Sequence, residues 1–314
     1  MAYTCLDYLD CWIDRSDYLK INSSNSTLGA FIYDVDLRKL LEDDLLVNDM
    51  LEAWHKFAVL VFPGQRLNDE THIAFSRIFG DLEKLLTSSI ADMNPEICRV
   101  SNVRLDGSMD APGGTYELHQ RGNQYWHTDS SFKKIASKAS VLRAHTIPKT
   151  GGETEFADMR AAYDELTPKQ KVFFEDKVVV HDFIYSQGLI GGLEQLTDQE
   201  LNGLPPARHR LIQIHPETHR RSLFVGRHAS HIEGEDIETS RSELIQLTKK
   251  ACQPPRIFKH SWKEGDVVVW DNRCVLHRGH PWPQNEARIM YRTTVAGDGE
   301  DNSWKLKNNT ISAN

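Results

Sequence analysis

The stretch Trp126-His127-Thr128-Asp129-Ser130-Ser131-Phe132 decides how this sequence is interpreted. Side chains two residues apart on an extended strand point to the same face. The imidazole of His127 and the carboxylate of Asp129 can therefore reach one ion from one side. Together they make two-thirds of the 2-His-1-carboxylate set that binds Fe(II) and leaves coordination positions open. The alternative is a histidine that is merely hydrogen-bonded to the neighbouring carboxylate.

Two other His-x-Glu pairs occur, so the pattern alone is weak. His215 and Glu217 flank Pro216, which predicts a strand end or a turn with a solvated pair. His231 and Glu233 lie in HASHIEGE, which predicts a polar, glycine-interrupted loop. Only the first pair is flanked by aromatic residues that favour a dry pocket wall, so it is the strongest candidate.

A third ligand is expected from the far end of the chain. The segment VVVWDNRCVLHRGHPW (267–282) predicts a buried strand, a turn at Asp271-Asn272 and a second strand that ends at His277. His280 is the rival donor, but it precedes Pro281 and is expected to point outward. Taken alone, His277 would more often be a structural histidine than a ligand.

Two arginines follow in ARIMYRTTV, at Arg288 and Arg292. Their even spacing places both guanidinium groups on the same face of a strand. Arginines on an inward face are unfavourable unless each meets an anion, and the guanidinium fork matches a carboxylate. The pair therefore predicts two carboxylate-bearing ligands or one dicarboxylate. The alternative is a solvated edge strand with paired surface charges.

Composition describes an ordinary globular protein of 314 residues, 39% apolar and 26% charged. A formal charge of −8 argues against nucleic acid or an anionic membrane as the main partner. The cysteines show no C-x-x-C pair, which disfavours a zinc ribbon or a disulfide framework. No signal peptide and no membrane-spanning run is visible, so a cytoplasmic location is expected. The cysteines are Cys5, Cys11, Cys98, Cys252 and Cys274.

Short apolar runs separated by Gly, Pro and Asn predict a mainly β protein with flanking helices, of jelly-roll type. Strands are expected at 29–35, 58–62, 97–103, 139–147, 178–185, 210–215, 222–225, 266–270, 274–277 and 289–295. Helices are expected at 37–41, 51–57, 68–80, 159–166, 169–177 and 241–252. No domain boundary is visible, so one domain is expected over residues 1–314.

Five ordered motifs resemble the TauD/TfdA family of Fe(II)/2-oxoglutarate-dependent dioxygenases, whose core is a double-stranded β-helix. They are WHTDSSF, GGETEFADMRAAYDEL (151–166), HPETHRRSLFVGRHASHIEG (215–234), WDNRCVLHRGHPW and ARIMYRTT. The resemblance covers residues 29–296, leaving a lead-in at 1–28 and a tail at 297–314. Within the family the chain looks most similar to the 2,4-dichlorophenoxyacetate (aryloxyalkanoate) branch.

The resemblance implies a role for each matching residue. His127, Asp129 and His277 would bind Fe(II). Arg288 and Thr154 would hold the distal carboxylate of 2-oxoglutarate, Arg292 would bind the acid group of the substrate, and Asn123 would line the pocket. After FGDL, where the taurine enzyme has a pocket histidine, this chain has Glu83-Lys84-Leu85, which makes taurine a poor candidate.

The implied activity is oxidation of a C–H bond of a small carboxylic acid, an aryloxyalkanoate or an amino acid, with O2 and 2-oxoglutarate consumed and succinate and CO2 released. Hydroxylation is the default outcome, and desaturation or cyclisation would use the same oxidant. The alternatives are a sulfonate or sulfate-ester dioxygenase and a non-catalytic jelly-roll metal-binding protein. Loops around 84–95, 108–122 and 178–192 are expected to select the substrate. The sequence leaves the oligomeric state open, a homo-oligomer included.

Overall fold

Short strands form the framework of the protein. The computed structural model describes residues 19–84, 94–111 and 113–298. In chain order its strands are β1 Lys20–Ser23, β2 Ala30–Tyr33, β3 Val59–Phe62, β4 Cys98–Ser101, β5 Ala139–Thr146, β6 Thr154–Asp158, β7 Val178–His181, β8 Ala207–Arg210, β9 Ile212–Ile214, β10 Arg221–Leu223, β11 Ala229–Ile232, β12 Ile257–His260, β13 Val267–Asp271, β14 Val275–Gly279 and β15 Ile289–Val295. Its helices are α1 Leu37–Leu40, α2 Asp44–Phe57, α3 Asp69–Ser76, α4 Thr115–Asn123, α5 Met159–Asp164, α6 Pro168–Phe174, α7 Phe183–Gly188, α8 Asp198–Gly203 and α9 Ile237–Ala251.

The main sheet has seven strands in the order β1-β2-β3-β13-β5-β15-β4. Strand β13 lies near its centre and is antiparallel to both β3 and β5. A central strand is covered on both faces, which explains why Val267–Asp271 is an uninterrupted apolar run up to its last residue.

The two faces of β13 pack against different layers. Val267 and Val269 face the layer of helices α1 to α3. Val268 and Trp270 face the other way and pack with Phe156 of a second sheet, β12-β6-β14. This alternation follows from the period of two along a strand. The two facing sheets with helices outside confirm the predicted mainly β, jelly-roll architecture.

The segment between β6 and β12 builds its own apolar cluster on the outside of the second sheet. Helices α5 and α9 and the small sheets β11-β7-β8 and β10-β9 contribute to it. Leu276 of β14 belongs to this cluster, and the next residue, His277, points to the opposite side. Strand β14 therefore anchors the insert with one face and carries a candidate ligand on the other.

The sequence-based predictions of a strand at 178–185 and of a loop around His231 are wrong. The strand predicted at 178–185 ends at His181, because Asp182 caps α7 by accepting a hydrogen bond from the Tyr185 N–H at 3.1 Å. The segment around His231, predicted to be a polar loop, is strand β11 and pairs with β7. Its polar side chains are satisfied internally, as when the Ser230 hydroxyl donates to a β7 carbonyl at 3.1 Å.

Strands β6 and β12 and helix α4 were not predicted. Strand β6 pairs with both β12 and β14 and begins at Thr154, and α4 occupies a segment that the sequence indicated as a loop. Much of the predicted lead-in, tail and 84–95 loop lies outside the described residues. None of the described helices is long and apolar enough to cross a membrane.

Candidate metal centre

The backbone holds His127 and His277 side by side. The His127 N–H donates to the His277 carbonyl at 3.0 Å, and the His277 N–H donates back to the His127 carbonyl at 2.7 Å. Their ring centroids lie 4.2 Å apart, and Trp270 packs on His277 at 4.8 Å. The expected extended strand is reduced to this single bridge, because the chain turns at Ser130, whose φ is +57°.

The carboxylate of Asp129 approaches the two imidazoles and is held at both oxygens. Its Oδ2 lies 3.9 Å from His277 Nε2 and accepts a hydrogen bond from the Ser140 hydroxyl at 2.6 Å. Ser140 in turn accepts from the side-chain amide of Asn272 at 3.0 Å. The other oxygen, Oδ1, accepts from Nη1 of Arg292 at 3.3 Å. The orientation of the carboxylate is therefore fixed from two sides.

These three side chains fit a common metal ion. One ligand atom from each of His127, Asp129 and His277 lies within 4.8 Å of the other two. Ligand atoms about 2.1 Å from one ion lie roughly 3 Å apart, so small rotations would complete the set. His127 Nδ1 donates to the Tyr125 carbonyl at 2.8 Å, which leaves the lone pair on Nε2. Two imidazoles and one carboxylate are the donors that non-haem Fe(II) uses.

Burial and neighbouring charges set the protonation of these residues. Burial lowers the pKa of His127 well below its usual value, and the nearby His277 lowers it further. Burial also lowers the pKa of His277. Burial alone would raise the pKa of Asp129, but the charge of Arg292 and the hydrogen bond from Ser140 hold it below its usual value. At neutral pH the set consists of two neutral imidazoles and one carboxylate, the form that metal binding requires.

A second cluster, His215, Asp271 and Cys274, is a weaker candidate. Arg273 donates to both oxygens of Asp271 at 2.9 and 2.7 Å, and His215 Nε2 lies 2.9 Å from the same carboxylate. These hydrogen bonds already neutralise the Asp271 carboxylate, so we assign a structural role to this cluster. The prediction that His215 and Glu217 form a solvated pair is wrong, because His215 is buried against Asp271.

Arg288 and Thr154 are both buried, and Arg288 has no carboxylate partner among the described residues. The Arg288 guanidinium donates to the Gly152 carbonyl at 3.4 Å and lies 4.9 Å from the ring centroid of Trp282. The Thr154 hydroxyl accepts from Trp262 Nε1 at 2.9 Å, so its own hydrogen is available to an acceptor. A buried guanidinium without a carboxylate indicates an anionic ligand.

Gly151 and Gly152 allow the turn before Thr154 to approach Arg288. Both have left-handed φ angles, +75° and +72°. A Cβ at Gly151 would lie 2.4 Å from the Pro281 carbonyl oxygen, and one at Gly152 would lie 3.3 Å from Arg288 Nε. The paired glycines of the GGET motif are therefore needed for both conformation and space.

Two more arginines lie near the ligand set. Arg292 pairs with Asp129, which raises the pKa of the guanidinium, and its Nε is buried without a partner among the described residues. Arg227 donates its backbone N–H to the Trp126 carbonyl at 2.8 Å, and burial lowers its pKa to about 10. Asn123 ends α4, half-buried, and its side chain makes no hydrogen bond to another described residue.

The sequence did not indicate a role at the site for Ser140, Asn272 or Arg227. Ser140 lies on β5 and Asn272 follows β13, so only the pairing of these strands brings them to Asp129. For Arg227 a signal existed: it follows Gly226, whose φ is +117° and whose Cβ would lie 3.0 Å from the Trp126 carbonyl oxygen. Glycine is the residue that permits such a close approach of two backbone segments.

Comparison with known proteins decides the family. Residues 20–294 match the family described as taurine catabolism dioxygenase TauD, TfdA family. The chain belongs to the TauD/TfdA family. It is an Fe(II)- and 2-oxoglutarate-dependent dioxygenase that uses O2, oxidises a C–H bond of a small molecule and releases succinate and CO2. The family predicted from the five motifs is confirmed.

Relatives of this dioxygenase align over most of their length. It is 41% identical to the (S)-phenoxypropionate/alpha-ketoglutarate-dioxygenase of Sphingobium herbicidovorans, over 87% of this chain and 93% of that one. It is 39% identical to the 2,4-dichlorophenoxyacetate dioxygenase of Burkholderia sp. strain RASC, over 80% and 86%. The crystal structure of AAD-2 with Mn(II) and N-oxalylglycine superposes with a TM-score of 0.82 at 37% identity, over 90% and 98%.

Proposed function

We propose that this dioxygenase oxidises aryloxyalkanoic acids at an Fe(II) ion bound by His127, Asp129 and His277. The observation that carries the proposal is the convergence of these three ligand atoms within 4.8 Å of one another. The substrate class is supported by the relatives that are named for phenoxypropionate and 2,4-dichlorophenoxyacetate.

In this proposal Arg288 and Arg292 bind different carboxylates. Arg288 and the Thr154 hydroxyl bind the distal carboxylate of 2-oxoglutarate, since Arg288 is buried and lacks an acidic partner among the described residues. Arg292 binds the substrate carboxylate through the donors that it does not use on Asp129. Asn123, at the end of α4, lines the same pocket. Because Arg292 touches a metal ligand, it would hold the substrate acid next to the ion.

Bound Fe(II), with 2-oxoglutarate and O2, supplies the oxidant that removes hydrogen from the substrate. The protein positions the reactants and excludes water. Ser140 orients Asp129, and the Tyr125 carbonyl fixes the tautomer of His127. Insertion of one oxygen atom at the carbon bearing the aryloxy group gives a hemiketal or hemiacetal, which breaks down to a phenol and a 2-oxo acid. The second oxygen atom enters succinate as 2-oxoglutarate loses CO2.

Succinate release tests the proposal when it is measured against phenoxyacetate, both enantiomers of 2-phenoxypropionate, aliphatic amino acids, sulfonates and sulfate esters. We expect the aryloxy acids to give one phenol per succinate. Tight coupling to an amino acid, or release of sulfite or sulfate, with no turnover of aryloxy acids would contradict the substrate class. Absence of turnover with every compound would place the substrate outside these classes and would also contradict the proposal.

The cellular location and the oligomeric state are also predicted. A cytoplasmic location agrees with the free thiols of Cys98, Cys252 and Cys274, because disulfides are rare in a reducing compartment. Assembly into a homo-oligomer can be measured by light scattering of the purified chain.

A further inference from the structure

Three buried donors near Trp282 have no partner among the described residues. They are the Tyr116 hydroxyl, Trp282 Nε1 and Arg288 Nε. A buried polar group without a hydrogen bond is unfavourable, so each such group requires an explanation. Trp282 Nε1 and Arg288 Nε can only donate, and a tyrosine hydroxyl can donate as well. Each of the three therefore lacks a hydrogen-bond acceptor in the part of the chain that the structure describes.

Tyr116 and Arg288 contact the same indole. The Arg288 guanidinium carbon lies 4.9 Å from the Trp282 ring centroid. The Tyr116 ring meets the Trp282 ring edge to face, with centroids 6.3 Å apart and an interplanar angle of 70°. Burial raises the pKa of Tyr116 to about 12, although the charge of Arg288 opposes this change. The hydroxyl therefore carries its proton at neutral pH and is available as a donor close to the guanidinium.

Tyr116 belongs to α4, which leads directly into the candidate metal centre. The helix ends at Asn123, and His127 follows four residues later. A contact from Tyr116 to a ligand at Arg288 would fasten this helix to the bound ligand. A single carboxylate has about four lone-pair sites, enough for a guanidinium, a threonine hydroxyl and one further donor.

We propose that the Tyr116 hydroxyl donates a hydrogen bond to the distal carboxylate of 2-oxoglutarate. This inference rests on the proposed role of Arg288 as the anchor of that carboxylate. Tyr116 then binds the co-substrate from helix α4, which lies outside the two sheets of the sandwich. Its hydroxyl acts only on 2-oxo acids that carry a second carboxylate.

Pyruvate provides the comparison, because it has the 2-oxo acid group that chelates a metal and lacks the distal carboxylate. Dissociation constants for 2-oxoglutarate and pyruvate are measured by anaerobic calorimetry on the Mn(II)-loaded protein. Tyr116→Phe is expected to weaken 2-oxoglutarate about tenfold, the loss typical of a hydrogen bond to a charged group, and to leave pyruvate within twofold. Tyr33→Phe, which removes an exposed hydroxyl from β2, is expected to change neither.

Each other outcome overturns the inference. Unchanged 2-oxoglutarate affinity in Tyr116→Phe means that the hydroxyl does not contact the co-substrate. Equal weakening of 2-oxoglutarate and pyruvate means a purely structural role. Arg288→Lys separates the role proposed for Tyr116 from the role proposed for Arg288. If this variant leaves the ratio of 2-oxoglutarate affinity to pyruvate affinity unchanged, Arg288 does not bind the distal carboxylate. If it reduces the ratio while Tyr116→Phe does not, only the role of Tyr116 fails.

Discussion

At Asp129, two polar contacts fix the carboxylate independently of any ion. The Ser140 hydroxyl donates to one oxygen at 2.6 Å and Arg292 donates to the other at 3.3 Å. Asn272 donates to the Ser140 hydroxyl, so the hydroxyl hydrogen has to point to the carboxylate. Groups that orient a ligand commonly change metal affinity by one or two orders of magnitude.

Ser140→Ala should weaken Fe(II) binding by about tenfold or more, because it removes the donor to Asp129 Oδ2 and leaves the amide of Asn272 without its acceptor. The measurement is an anaerobic Fe(II) titration of the purified variant. Ser137→Ala is the matched control, since Ser137 is equally buried but its hydroxyl donates to Glu83. Equal Fe(II) affinity in Ser140→Ala and the wild type would contradict the role of Ser140.

Arg292→Ala should raise KM for an aryloxy acid by about tenfold or more while uncoupled consumption of 2-oxoglutarate at saturating Fe(II) continues. A desolvated bond from arginine to a carboxylate accounts for a loss of that order. Steady-state succinate assays with and without substrate give both values. Arg220→Ala, at an exposed arginine paired with Asp164, is the control. A variant that loses only 2-oxoglutarate affinity would show that the roles of Arg288 and Arg292 are exchanged.

At the scale of elements, strands and tight turns bring distant residues to one end of the sandwich. Strand β14 places Leu276 in the insert cluster and His277 at the candidate metal centre. The neighbouring strand β6 pairs with β14 and begins at Thr154, directly after the turn formed by Gly151 and Gly152. The position of this turn fixes where Pro281 and Arg288 can lie.

Gly151→Ala should raise KM for 2-oxoglutarate several-fold, because the new Cβ would lie 2.4 Å from the Pro281 carbonyl oxygen and displace the segment that leads to Trp282 and Arg288. Gly234→Ala is the control, with φ +79° and no neighbouring atom within 4 Å of the new Cβ. Both variants should lose about 1 kcal/mol of unfolding free energy from the left-handed backbone. Equal KM values in the two variants would exclude the steric explanation.

The sequence predicts those parts of the site that repeat a local pattern. His127 and Asp129 converge as their spacing predicts, although the expected strand is reduced to a single bridge, and β15 was predicted at 289–295 and is observed there. Residues such as Ser140 and Tyr116 carry no local signal, since their roles come from strand pairing and from the packing of α4 on Trp282. Helix α4 has polar residues on most of its surface, and this composition predicts a loop.

In the molecule as a whole, eight of the 14 histidines are buried, and every histidine with a shifted pKa has it lowered by burial. Burial and, to a smaller extent, the charge of nearby Arg143 together lower the pKa of His72 to about 3. An unfolded histidine has a pKa of about 6.5. Between these values the unfolded chain binds a proton that the folded chain does not. Stability is therefore lost as the pH falls below about 6.5, at up to roughly 1.4 kcal/mol per pH unit for each such residue.

His72→Gln should make the pH dependence of stability shallower, because glutamine has no proton to gain. Urea unfolding in EDTA at pH 7, 6 and 5 measures it, and from pH 6 to pH 5 the wild type should lose about 1 kcal/mol more than the variant. His145→Gln, at an exposed histidine, should retain the wild-type slope. Identical slopes for all three proteins would show that His72 is protonated in the folded state.

The central proposal is that His127, Asp129 and His277 bind one Fe(II) ion together with 2-oxoglutarate. Anaerobic addition of Fe(II) and 2-oxoglutarate tests it directly through the weak visible charge-transfer band of the chelate. We predict the band in the wild type and in His280→Ala, whose histidine pairs with Glu155 at 3.3 Å, and its loss in His277→Ala. A band of wild-type intensity in His277→Ala would contradict the proposed metal site.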